Sequence, residues 1–178
     1  EAGGHNGREE TTTMCLIPSV VNVCSIPVIA AGGISDGKSV LASMILGAEG
    51  AQLGSRFVAS EESSAHIDFK NAVVASGEGD TTLTLKELTP VRMLHNDLFR
   101  ELSIAKDNGA TPEQLSEILG KGKAKKGMFE GDLEKGELEI GQIASVLKNI
   151  LPASEIITDI VQSYRKAGGN KLGKRFEF

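Results

Sequence analysis

Residues 26–57, IPVIAAGGISDGKSVLASMILGAEGAQLGSRF, constrain this chain more than any other stretch. Pro27 to Ala31 is a short apolar run, β-branched at its centre and closed by Gly32-Gly33, the pattern of a parallel strand covered on both faces. Ser35 or Asp36 is placed to cap a helix, and Gly47 stands where that helix needs a left-handed residue to end. Gly50 to Gly54 reads as a second strand of small residues, followed by Ser55. One right-handed βαβ unit then sets Gly32-Gly33 and Gly54-Ser55 side by side at the carboxyl ends of neighbouring strands. Glycines there let main-chain N–H groups approach a dianion, and a helix N-terminus adds partial positive charge. The expectation is a phosphate cradle.

The totals narrow the class. With 178 residues, a net charge of −5 and 40% hydrophobic residues, the chain can bury one core. The acidic balance argues against a nucleic-acid partner, and no apolar run approaches the ~20 residues that span a bilayer. Cys15 and Cys24 fall on one expected helix in poor geometry for a disulfide, which suggests two buried thiols in a reducing, cytoplasmic setting. A closed eight-stranded barrel needs roughly 200 residues or more, yet only two convincing core strands are visible. Because the sequence opens on Glu1 within a glycine motif, it is expected to be the C-terminal part of such a barrel, its native start missing.

Along the rest of the chain, residues 1–7 read as a strand-end loop. One of Thr11, Thr12 and Thr13 caps a helix through Leu16, Ile17, Val20, Val21 and Cys24, with Pro18 near its first turn or kinking it. Residues 59–62 start a helix that carries Ala65, Phe69, Ala72 and Val73. Thr81 to Leu85 is extended, and Pro90 to Lys106 is expected to be helical on the spacing of Val91, Leu94, Leu98, Leu102 and Ala105. Thr111-Pro112-Glu113-Gln114 is a capping box with proline in the first turn, and Gly120 stops that helix. Lys121 to Lys126 reads as a solvated basic loop, with contact to an acidic carrier as the lesser reading; it lacks the spacing and preceding strand of a P-loop. Gln142 opens a helix through Ile143, Val146, Leu147 and Ile150, either capping it or reaching the mouth of the site. Ser154 caps the last helix, Gly168-Gly169 ends it, and residues 170–178 are expected to fray.

Among groups that do chemistry, His5 stands out. Gly3 and Gly4 let its ring approach a flat ligand, and an imidazole suits proton abstraction near neutrality; a histidine that only ties down its loop is the plainer reading. His66 and His95 read as helical surface or packing residues. The three histidines and two cysteines show no metal-ligand spacing. Gln52 is expected to point into the barrel, toward a cofactor ring. Arg56 suits a phosphate or a structural salt bridge equally.

EAGGHNG (1–7), IPVIAAGGI (26–34) and GAQLGSRF (50–57) resemble, in order and spacing, the nitronate monooxygenases, or 2-nitropropane dioxygenases. The flavin-dependent enoyl-acyl-carrier-protein reductases are close relatives of these. GDLEKGELEIGQ (131–142) resembles a further family feature, and the likeness is tight to Ala59 and looser beyond. The glycine turns also resemble those of other phosphate-binding barrels, so the GGH motif is what selects the family. The resemblance implies an α/β fold: the C-terminal portion of an FMN-binding (β/α)8 TIM barrel with a helical appendage. Residues 1–79 would be the barrel part with the FMN phosphate site, and 80–178 the appendage and closing helices. It implies that His5 is catalytic, that Gly32, Gly33, Gln52, Leu53, Gly54 and Ser55 contact FMN phosphate and ribityl, and that Gly3 and Gly4 lie beside the flavin. The implied reaction is FMN-dependent oxidation of alkyl nitronates or nitroalkanes by dioxygen, in a homodimer. The alternatives are an NAD(P)H- and FMN-dependent enoyl-acyl-carrier-protein reductase, a flavin-free phosphate-binding lyase or isomerase, and a partial fold with no activity.

Overall fold

The computed structural model describes residues 2–5 and 10–168. Expectations for Glu1, Asn6, Gly7, Gly169 and the 170–178 tail lie outside the described residues. The βαβ unit forms as the glycines require. Strand β1 (Ile29–Ala31) pairs in parallel with β2 (Gly50–Gln52), Ala30 opposite Ala51. Helix α2 (Gly37–Ile45) connects them. Asp36 caps α2 through a reciprocal box with Ser39, and Gly47 turns the chain at φ +102°. The expected two-faced burial fails. Ala30 is buried, but Ile29 is 55% exposed, because helix α1 (Thr13–Val21) and α2 pack on only one face of this short pair. No helix among the described residues is long and apolar enough to cross a membrane.

α1 carries Pro18 inside it and ends at Val21, so Cys24 lies beyond the helix. Both cysteines are exposed, which overturns the expectation of buried thiols; the helix turns Ile17 inward instead. Thr12 occupies the N-cap without a side-chain bond, while Thr13 Oγ1 donates to the Gly32 carbonyl at 3.0 Å and ties α1 to the tip of β1.

After β2 come α3 (Ser55–Val58) and α4 (Ile67–Ala75). α4 starts later than expected because His66, not Ser60, caps it by accepting from the Asp68 N–H. An antiparallel hairpin follows, β3 (Thr81–Thr84) with β4 (Val91–Leu94). The helix expected over 90–106 is therefore half strand. Val91 to Leu94 are buried without interruption, and Asn96 begins α5 (Asp97–Asp107) by accepting from Phe99 N–H. Asn96 Nδ2 also bonds the carbonyls of Leu133 and Gly136, which holds that boundary in place. His95 is consequently not helical; it stacks on Phe99 and meets Thr82.

The Thr111–Gln114 box opens α6 (Pro112–Leu119) as read, and Gly120 follows it. Lys123 to Glu130 form α7, so the basic stretch is more helix than loop, though Lys121, Lys125 and Lys126 are solvated. Gln142–Val146 is a single 3₁₀ turn that stops short of Ile150. α8 (Ala153–Gly168) starts one residue before Ser154, with the Ala153 N–H received by the Glu62 carboxylate. One apolar cluster joins Phe69 and Val73 of α4 to Leu94 of β4 and to Leu138, Ile140 and Leu147, so residues before and after position 80 share a core.

α8 lies across α2 at Gly37, whose N–H donates to Ser163 Oγ at 2.9 Å. A Cβ on Gly37 would overlap the main-chain N of Tyr164 and O of Ile160. Main chain cannot rotate aside, so Gly37→Ala is expected to lose about 1–3 kcal/mol by prising α8 off α2. A urea midpoint equal to that of the wild type would show that α8 does not seat there.

Candidate functional site

The tips of β1 and β2 open on one hollow of about 450 Å³. Ala2, Gly3, Gly4 and His5 form one wall, Gly32 and Gly33 the second, and Gln52, Gly54 and Ser55 the third. Each wall follows from local chemistry. Gly32 (φ +93°) and Gly33 (φ +74°) adopt a turn that side chains resist. A Cβ on Gly32 would lie 3.2 Å from the Gly3 main-chain N, so a side chain at Gly32 would press the two glycine segments apart. At Gly54 a Cβ would meet nothing within 4 Å. That position faces open space in the hollow.

Main-chain bonds fix the His5 wall. The Arg92 N–H of β4 donates to the Gly4 carbonyl at 2.7 Å, the Gln142 N–H donates to the Ala2 carbonyl at 2.8 Å, and His5 bridges Val91. Ser55 Oγ accepts from the Gly141 N–H at 2.9 Å, which fastens the tip of β2 to the segment after α7. Gln142 thus touches the His5 wall through its backbone and is not among the residues lining the hollow.

Behind His5 lies a pair of carboxyls that reading the residues did not find. His5 Nδ1 is 2.8 Å from Glu139 Oε2, the histidine ring largely exposed and the carboxylate 15% exposed. Glu137, only 8% exposed, stands two residues earlier and acts electrostatically on Glu139. Burial, with the adjoining negative charge of Glu139, pushes the Glu137 carboxyl up to about 7. Burial also raises Glu139, while His5 and Glu137 hold it down. Buried side by side, the two carboxyls do not both ionise readily. The available signal was the alternation in Glu137-Leu138-Glu139-Ile140, which puts both carboxyls on one face and both apolar residues on the other once the segment is extended.

The structure brings together His5, Gly3, Gly4, Gly32, Gly33, Gln52, Gly54 and Ser55. It does not bring in the Leu53 side chain, which packs with Ile17 and Ile34; any ligand contact at Leu53 is left to its main chain. Arg56 is 7% exposed and bonds the carbonyl and side-chain oxygens of Asn149, outside the hollow. Burial lowers its pKa, and Asp159 opposes that shift.

The family sequence model described as nitronate monooxygenase matches residues 1–163. A probable nitronate monooxygenase of Staphylococcus saprophyticus is 40% identical over 141 residues, covering 71% of this chain and 39% of that protein. One from Staphylococcus aureus is 36% identical over 171 residues, 90% of this chain and 47% of that protein. The chain thus spans under half the length of these relatives. Among solved structures, FabK from Thermotoga maritima superposes with TM-score 0.89 at 38% identity, over 98% of this chain and 55% of that one. Nitroalkane oxidase from Streptomyces ansochromogenes gives 0.72 at 29% identity, over 93% and 50%. With the matched segment running through both glycine tips, the His5 loop and the carboxyl pair, the chain belongs to the nitronate monooxygenase family.

Proposed function

We propose that this chain is the cofactor-gripping and base-bearing part of an enzyme that oxidises alkyl nitronates with dioxygen using FMN, on a (β/α)8 barrel whose last two strands are β1 and β2. The observation that carries this reading is the single hollow shared by His5 and the two glycine tips. Its volume lies in the range of cofactor sites. Its walls suit an FMN: small residues at both tips for the phosphate, an exposed Gln52 amide, and two glycines beside the imidazole. Gly32-Gly33 and Gly54-Ser55 would hold the phosphate, and Gly3 and Gly4 would border the flat ring.

Bound FMN supplies the electron-accepting group of the reaction. The chain's own contribution is proton handling and placement. With Nδ1 of His5 directed at Glu139, Nε2 is the ring nitrogen left for substrate. It takes the α-proton of a neutral nitroalkane, or hydrogen-bonds the oxygens of a nitronate already formed. Gly3 and Gly4 keep the approach clear of side chains, and Gln52 offers an amide to orient what binds.

The test is FMN binding to the protein and to Gly54→Leu. FMN is expected to bind more tightly than riboflavin, because the glycine tips grip its phosphate. The leucine, growing into open space, should abolish binding with little change in stability. FMN affinity unaltered by Gly54→Leu would remove the hollow from consideration.

The likeness to FabK favours a second reading, a flavin-dependent enoyl-acyl-carrier-protein reductase. The exposed lysines 121, 125 and 126 would then face an acidic carrier. Oxygen uptake with a nitronate supports the first reading; NADPH consumption with a crotonyl thioester supports the second.

A further inference from the structure

We propose that Glu139 is a positioning residue for His5 and that Glu137, on the same face of the segment, supports Glu139. The geometry is that of a base with an orienting carboxylate behind it. Glu139 Oε2 lies 2.8 Å from His5 Nδ1, Glu137 stands two residues before it on the same face of the extended segment, and His5 lines the hollow. This inference rests on the reading of His5 as the base.

The fold builds this arrangement deliberately. Met93 of β4 bridges Glu139 while Val91, two residues earlier, bridges His5. Residues two apart on a strand face the same way, so one face of β4 aligns the imidazole with the carboxyl segment. Leu94 N–H donates to the Leu138 carbonyl and Ile140 N–H to the Arg92 carbonyl, which locks the segment in register.

The charges around the pair, among the described residues, are few. His5 and Glu139 act on Glu137 directly. Lys123 of α7 meets Glu137 through its backbone carbonyl, which accepts the Glu137 N–H. Arg92, on the alternate face of β4, donates to Thr81. With Glu137 protonated, the Glu139 carboxylate stays in place to accept Nδ1–H, and in the neutral ring this leaves the Nε2 lone pair for substrate. When Glu137 ionises, the two neighbouring carboxylates repel, which loosens Glu139. The α-proton moves from substrate carbon to Nε2, and Nδ1–H stays hydrogen-bonded throughout.

Three variants test this: Glu139→Gln, Glu139→Asp and Glu137→Gln, each checked for folding by far-UV circular dichroism. In wild type, nitrogen-15 NMR of His5 should show the Nδ1–H tautomer. Glu139→Gln should return the ring toward the Nε2–H form that free imidazole favours, and kcat with a neutral nitroalkane should fall by about 10²-fold, with KM little moved. Glu139→Asp, which keeps the charge with a shorter reach, should recover part of both. Wild-type kcat should fall as pH rises through about 7, and Glu137→Gln, a permanent neutral donor, should remove that fall. A His5 tautomer unmoved by Glu139→Gln, or an unchanged pH profile in Glu137→Gln, would overturn the proposal. The tautomer is read without turnover, so it judges the Glu139 contact even if His5→Ala shows that His5 is not the base.

Discussion

His5→Ala is expected to slow the oxidation of a neutral nitroalkane by roughly 10²–10⁴-fold, the usual contribution of a positioned general base. Preformed nitronate, which has already lost its α-proton, should be slowed far less. The contrast follows from position: the imidazole lines the hollow, whereas its loop is held by main-chain bonds from Arg92 and Gln142 that the substitution leaves intact. FMN absorbance should persist in the variant, since the glycine tips are untouched. An oxygen electrode run with a nitroalkane and with its nitronate reads both values. Equal losses on the two substrates would assign His5 to binding, and no loss on either would leave it without a catalytic part.

The second large effect concerns stability. Glu137 is raised from 4.5 to about 7 in the folded chain, mainly by burial and then by Glu139. A carboxyl raised on folding binds more protons in the native than in the unfolded state between those two values. Its contribution is complete below about 4.5 and is lost as pH rises through about 7. The shift corresponds to about 3 kcal/mol. Glu139 is shifted in the same direction, so the two carboxyls act together. Glu137→Gln cannot ionise, so its stability relative to wild type should grow across this window. Urea unfolding of both proteins at acid, neutral and mildly alkaline pH gives the comparison; parallel curves would show that Glu137 is not destabilised by ionising in the fold.

What the residues disclosed beforehand was local or repetitive. Asp36 as one of two offered caps, Thr111 with Gln114, and Gly47 each act within one turn of chain, and all sit where their chemistry puts them. The parallel pairing of β1 with β2 followed from two glycine-closed runs around one helix. The hairpin was hidden because Val91, Leu94, Leu98 and Leu102 keep helical spacing across a boundary set by Asn96. The tertiary partners of Asn96, Leu133 and Gly136, lie far along the chain. The same distance concealed Glu137 and Glu139. Nothing near them in sequence announces His5, and only β4, lying between the two segments, makes them neighbours. The cysteines were misplaced for simpler reasons: α1 ends at Val21, too early to carry Cys24 inward, and it buries Ile17 rather than Cys15.

β4 is buried along its whole length and is tied through its backbone to the histidine loop on one stretch and to the carboxyl segment on another. Amide groups are the same whatever side chain they bear. The spacing between imidazole and carboxylate is therefore set by main chain, and side-chain changes that keep β4 packed in its core leave that spacing unchanged.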